Sequence, residues 1–163
     1  MNLNFRGIFS ALNEAGVRWL LVGGMNVFLQ HGEYLTQDVD VYVDDSSSNL
    51  TAVNRALQKM KATWGPTETT WGPVPDDPKW LLRQRVVCVI TEHGFLDVFT
   101  KLPGINESFQ SVWDRAFAGT ISTVSFRGLN DADMLACQLA LPEPEQKLDR
   151  IRLLQRALAS RVK

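Results

Sequence analysis

Residues 22–44 read VGGMNVFLQHGEYLTQDVDVYVD, and the rest of the chain is best understood outward from them. The final third alternates Asp-Val-Asp-Val-Tyr-Val. In a strand, residues two apart share a face, so Asp38 and Asp40 point one way while Val39, Val41 and Val43 point the other. Carboxylates placed like this sit about 6–7 Å apart at Cβ and repel one another unless positive charge lies between them. A hard divalent cation relieves that repulsion, and Mg²⁺ takes one or two carboxylates together with substrate phosphates. An isolated Asp-x-Asp also fits the wet face of an antiparallel strand. The glycines upstream favour the metal. Residues 17–22 (VRWLLV) form an apolar run of strand length that ends on Gly23-Gly24. Glycines between a strand and a helix permit positive φ and close backbone approach, which is how N–H groups reach a phosphate.

Composition sets the outer bounds. The chain has 163 residues, 45% of them hydrophobic and 21% charged, which predicts one domain over residues 1–163 with a buried core. Seventeen Lys and Arg against eighteen Asp and Glu leave a net charge of −1, without the basic balance of a general duplex-binding protein. Cys88 and Cys137 lie in apolar surroundings without metal-ligand spacing and read as buried thiols. With no signal peptide or long apolar span in the sequence, the expected location is the cytoplasm, away from membranes.

Outward from the opening stretch, Phe5, Ile8, Leu12 and Ala15 fall at helical spacing before Gly16. A short helix over 25–31 follows the glycine pair and stops at Gly32; there Asn26 is a candidate phosphate or ribose contact, and His31 suits the helix dipole. Strand 38–43 leads into a helix over 48–61, with Leu50, Val53, Leu57 and Met60 on its apolar face. Residues 63–80, with two Trp-Gly-Pro units and Trp80, read as a long loop in which tryptophans pack or stack on a base. Two strands over 83–91 and 95–100 meet at His93-Gly94, and Asp97 is the one acid of the second arm. A helix over 106–117 carries Phe109, Val112, Trp113 and Phe117 as a core stripe. Residues 121–127 make one more edge strand. Asn130-Asp131 cap a helix to Leu139, and after Pro142 a last helix over 143–161 buries Leu148, Ile151, Leu154 and Leu158. Its other face gathers Lys147, Arg150, Arg152, Arg156 and Arg161.

Gly23-Gly24, Gly32, Thr36-Gln37-Asp38-Val39-Asp40 and Phe95-Leu96-Asp97-Val98-Phe99 together resemble the signature of the polymerase β superfamily of nucleotidyltransferases. The nearest branch is the minimal nucleotidyltransferases, which includes toxins of abortive-infection systems. The resemblance covers most of the chain and implies an α/β fold: a small mixed sheet flanked by helices, with a helical C-terminal segment. It implies catalytic, metal-binding acids at Asp38, Asp40 and Asp97, holding two Mg²⁺ ions. It implies nucleotide contacts at Gly23, Gly24 and Thr36, to which position in the chain adds Asn26 and Lys147 as candidate nucleotide contacts. The expected activity is transfer of a nucleoside monophosphate from an NTP to a hydroxyl on RNA, protein or a small molecule, with a cognate antitoxin as a partner if the chain is a toxin. Two departures stand out. Relatives carry an arginine where this chain has Tyr34-Leu35, and a helix lysine where it has Cys137-Gln138. Both also fit a nucleotide- or partner-binding module that kept the fold without turnover.

Overall fold

The structure, a computed structural model, describes residues 2–33 and 36–162. Among these, eight strands form one mixed sheet in the order β4-β3-β5-β6-β2-β1-β8-β7. The chain enters through α1 (Phe5–Glu14), whose Asn4 side chain accepts from Gly7 N–H, and passes to β1 (Trp19–Val22). The next helix, α2 (Gly23–His31), begins on the first glycine, two residues before the expected start, and ends at left-handed Gly32. Then β2 (Asp38–Val43) pairs antiparallel with β1, placing Val22 opposite Asp40. Helix α3 (Ser47–Lys59) packs with α1 behind the sheet, where Val39, Val41, Leu96 and Val98 are fully buried. Alternation thus separates the strands' apolar back from the face that bears the acids.

The 63–80 segment is not the irregular loop that its Pro and Gly content predicts. Short strands β3 (Thr63–Trp64) and β4 (Gly72–Pro73) extend the sheet, and 3-10 turns span Glu68–Thr70 and Pro78–Leu82. Trp80 is buried against Trp64, with ring centroids 4.8 Å apart, and its Nε1 donates to Asn54 Oδ1 at 2.8 Å. Trp71 donates to Thr63 Oγ1. Local hydrogen bonding and ring packing supply the order that backbone propensity lacks.

Strands β5 (Val86–Thr91) and β6 (Gly94–Phe99) form the expected hairpin, and β6 runs parallel to β2. Helix α4 (Phe109–Asp114) stops early because Arg115 is drawn into a fork between Glu107 and Asp133. Phe117 therefore leaves the helical stripe and starts β7 (Phe117–Ile121), where it is partly exposed. The expected edge strand is instead β8 (Val124–Gly128), an inner strand between β7 and β1. Asn130 caps α5 (Asp131–Leu139) as predicted, accepting from Asp133 N–H. A 3-10 turn at Glu143–Glu145 separates it from α6 (Leu148–Arg161). Ile151, Leu153 and Leu154 of α6 are buried, but Leu148, expected in the core, is exposed. Helices α4, α5 and α6 cover the front of β1 and β2 through Leu20, Val22, Tyr42, Leu102, Val112 and Leu154. No helix of the described residues is long and apolar enough to cross a membrane.

Candidate active site

Two strands far apart in sequence bring the three acids together. The parallel register sets Asp40 beside Asp97, and Asp38 lies two residues along the same face of β2. One carboxylate oxygen from each of Asp38, Asp40 and Asp97 lies within 4.8 Å of the other two. Three hard oxygen donors converging in this way fit a divalent cation such as Mg²⁺. Their electrostatics describe the same cluster. Burial, then the charges of Asp38 and Asp97, push the Asp40 carboxyl from 3.8 up to about 7, with Arg150 pulling the other way. Burial also raises Asp97, opposed by a hydrogen bond from the Cys88 thiol.

The glycine pair lies against these acids. Gly23 has φ +68°, in the left-handed region, and a Cβ there would overlap the Asp40 carboxylate. A Cβ on Gly24 would come within 3.2 Å of Arg150 Nη2 and 3.3 Å of Thr36 Cβ. The first turn of α2 has no side-chain cap, since its N-cap is Val22. Its leading N–H groups are the polar groups that a phosphate would meet. Thr36 donates from Oγ1 to Asp38 Oδ1 at 2.8 Å and so orients that acid.

Asn26 does not join this group. It is fully buried, donates to the Leu129 carbonyl at 3.0 Å and accepts from Gln30 at 2.7 Å. Because α2 starts at Gly23, Asn26 is a turn inside the helix and faces the β8–α5 connection at Leu129. His31 likewise does more than complement a helix end: its Nε2 meets buried Asp131 Oδ1 at 2.7 Å. The Tyr34-Leu35 position lies outside the described residues.

A cavity of about 230 Å³ opens beside Asp40 and Gly23 and runs between the sheet and the last two helices. Val22, Val27, Phe99, Leu129 and Met134 make its apolar walls, and Lys147 and Arg150 bring positive charge to it. Lys147 caps α6, its N–H donating to Gln138 Oε1 at 2.9 Å. Arg150, one helical step beyond, is the residue missed as a site candidate; its position three residues after Lys147 was the available signal. The basic face of α6 is therefore divided. Arg161 reaches Asp131 at 2.7 Å and Arg152 lies near Asp149, while Arg150 turns toward the acids.

Cys88 corrects another expectation. It is exposed, stands opposite Asp97 on β5, and hydrogen-bonds to that acid. Desolvation and the neighbouring carboxylates push its thiol up to about 12. Cys137 is half-buried in the wall of the 230 Å³ cavity.

No protein-family model and no curated protein sequence matches the chain. Solved structures do resemble it. The lincomycin-bound lincosamide antibiotic adenylyltransferase LnuA superposes with a TM-score of 0.60 at 16% identity, covering 95% of this chain and 98% of that one. ANT(2")-Ia in complex with adenylyl-2"-tobramycin gives 0.59 at 12% identity, covering 97% and 90%. A Thermotoga maritima protein described as a nucleotidyltransferase gives 0.56 at 14% identity, covering 96% and 91%. The chain has a nucleotidyltransferase fold.

Proposed function

We propose that this protein is a divalent-cation-dependent nucleotidyltransferase that moves a nucleoside monophosphate from an NTP to an acceptor hydroxyl. The convergence of Asp38, Asp40 and Asp97 within 4.8 Å carries the reading. It is supported by the placement of Gly23 and Arg150 beside that cluster and by the likeness to nucleotidyltransferase structures. Asp38, Asp40 and Asp97 would hold Mg²⁺, which supplies charge neutralisation and Lewis acidity at the phosphates. The nucleoside occupies the apolar cavity between the sheet and α5–α6. N–H groups at Gly23 and Gly24 donate to the phosphates, and Arg150 and Lys147 neutralise them, taking over from the lysine absent at Cys137-Gln138. The acceptor oxygen forms a bond to the α-phosphorus as the bond to the leaving pyrophosphate breaks. Asp97 takes the hydroxyl proton, a role favoured by its raised proton affinity. Catalysis is then mainly positioning and charge stabilisation.

The neighbours named for lincomycin and adenylyl-tobramycin make a hydroxylated small molecule the preferred acceptor class, ahead of RNA or protein. Incubation with α-labelled NTPs, Mg²⁺ and such acceptors tests the activity. Wild type is expected to yield labelled acceptor and pyrophosphate. Asp97→Asn should lose transfer while keeping a nucleotide-induced thermal shift. A wild-type protein that binds Mg²⁺–NTP yet transfers no label to hydroxylated small molecules, RNA or protein is a binding module instead.

A further inference from the structure

A second cavity lies at the end of the strands opposite Asp38. Strands β2 and β6 run parallel, and the chain leaves them at Asp44-Asp45 and Thr100-Lys101. The antiparallel β5 is entered at the same end, where the Arg85 carbonyl accepts from Thr100 N–H at 3.1 Å. Three neighbouring strand ends, each about 4.7–4.9 Å from the next, therefore set two acids beside two cations. The segment that follows β6, with Leu102, Ile105 and Phe109, closes over them and leaves a cavity of about 760 Å³. Asp38, Asp40 and Asp97 have no part in its wall.

Two polar side chains in that wall have their hydroxyls unsatisfied by the protein. Tyr42 and Thr100 are each 7% exposed, and among the described residues neither hydroxyl has a hydrogen-bond partner. Buried hydroxyls are ordinarily paired, so these two are available to a guest. Burial, then the carboxylates of Asp45 and Asp44, push the Tyr42 phenol up, and a neutral phenol both donates and accepts.

The surrounding charges are of two kinds. Asp44 is committed to Arg18 at 3.1 Å, and that guanidinium also meets Gln110 and lies over the Phe109 and Trp113 rings. Glu107 is committed to Arg115 at 2.9 Å. Asp45, Arg85 and Lys101 are exposed and, among the described residues, form no ion pair. A wholly anionic guest would be repelled by Asp45, and a wholly cationic one by Arg85 and Lys101. A guest carrying both charges avoids either penalty.

We propose that this cavity is a second ligand site, separate from the carboxylate cluster, for a small apolar α-amino acid in its free, zwitterionic form. Asp45 and the Tyr42 hydroxyl take its ammonium, while Arg85, Lys101 and the Thr100 hydroxyl take its carboxylate. Its side chain lies against Leu102, Ile105 and Phe109. The assignment goes beyond the transferase reading and does not draw on it.

Calorimetry of the whole protein with L-phenylalanine and with L-leucine tests the site, and saturable binding at one site is expected. N-acetyl-L-phenylalanine lacks the ammonium and L-phenylalaninamide lacks the carboxylate, so each should bind about tenfold more weakly or worse. Asp45→Asn and Lys101→Gln change exposed side chains and should keep the fold, yet each should weaken L-phenylalanine about tenfold. Asp45→Asn should not weaken N-acetyl-L-phenylalanine, which has no ammonium to lose. Tyr42→Phe removes an unpartnered hydroxyl and should weaken L-phenylalanine without lowering the melting temperature. Saturating Mg²⁺–ATP should leave the L-phenylalanine titration in place. No saturable binding of either amino acid, equal binding of the acetylated or amidated form, wild-type affinity in Asp45→Asn, Lys101→Gln or Tyr42→Phe, or displacement by Mg²⁺–ATP overturns the assignment.

Discussion

At Asp40, burial and then the charges of Asp38 and Asp97 raise the carboxyl of the folded protein from its ordinary value up to about 7. Between roughly pH 4 and pH 7 the folded protein holds a proton that the unfolded chain has released, so this group's contribution to stability falls as the pH rises through that window. Without divalent cation, the melting temperature should therefore decline from pH 5 to pH 8 more steeply in wild type than in Asp40→Asn. The mutant should also melt higher at pH 8, having lost both a charge and its repulsion from Asp38 and Asp97. Mg²⁺ with NTP reverses the sign, because cation binding displaces the proton. Ligand-induced stabilisation should grow as the pH rises through about 7, and should be largely absent in Asp40→Asn. Thermal melts across pH, with and without Mg²⁺–ATP, measure all of this. Gly23 is the partner of that acid at the same scale. Gly23→Ala must place a side chain at φ +68° against the Asp40 carboxylate, and a loss of about 1–2 kcal/mol from the backbone alone is expected in urea unfolding.

Among the elements, α6 and α2 define the site's cationic side and its glycine backbone. Arg150→Gln should weaken NTP binding about 10- to 100-fold by calorimetry, the effect of losing one charge-assisted contact. Arg152→Gln, on the exposed side of the same helix, should bind like wild type. Buried Asp131 ties α5 to both helices, meeting His31 of α2 and Arg161 of α6 at 2.7 Å each. Asp131→Ala strands those partners and should cost about 3 kcal/mol or more of stability. How far these elements were legible depended on which physical signal fixed each one. The Asp-Val alternation fixed β2 to the residue, and the same two-residue period correctly set Asp97 on the face shared with Asp38 and Asp40. Asn26 was misassigned because placing the helix start two residues late rotates every side chain by about 200° around the axis. Arg150 was missed for another reason: its three-residue spacing puts it on the same helix side as Lys147, but which side of a basic helix docks toward the site depends on the surface it meets. Cys88 followed the strand period faithfully, but apolar neighbours in sequence concealed that its face stays open. Residues 63–80 took their short strands from tryptophan packing and long-range pairing, neither of which is visible in turn propensity.

At the scale of the whole molecule, a ligand that bridges the sheet and α6 must stabilise the fold as one unit. Mg²⁺–ATP at 100 times its dissociation constant should add about 2.7 kcal/mol to unfolding free energy, with a melting temperature that climbs with ligand concentration. The pairing of β2 with β6 also bears on the order of folding. Strand β2 ends at Val43 and β6 begins at Gly94, so joining them in parallel closes a long chain segment, whereas the β5–β6 hairpin closes across Glu92 and His93. Short-range pairs form before long-range ones because loop closure must precede the contacts that reward it. Asp97 is thus expected to be carried into place on a preformed hairpin, with the three acids meeting only when the central pairing completes. Interactions made that late belong to the native side of the barrier. In stopped-flow chevrons, saturating Mg²⁺–ATP should slow the unfolding arm and leave the refolding arm almost unmoved, so that the occupied protein persists longer without being made any faster.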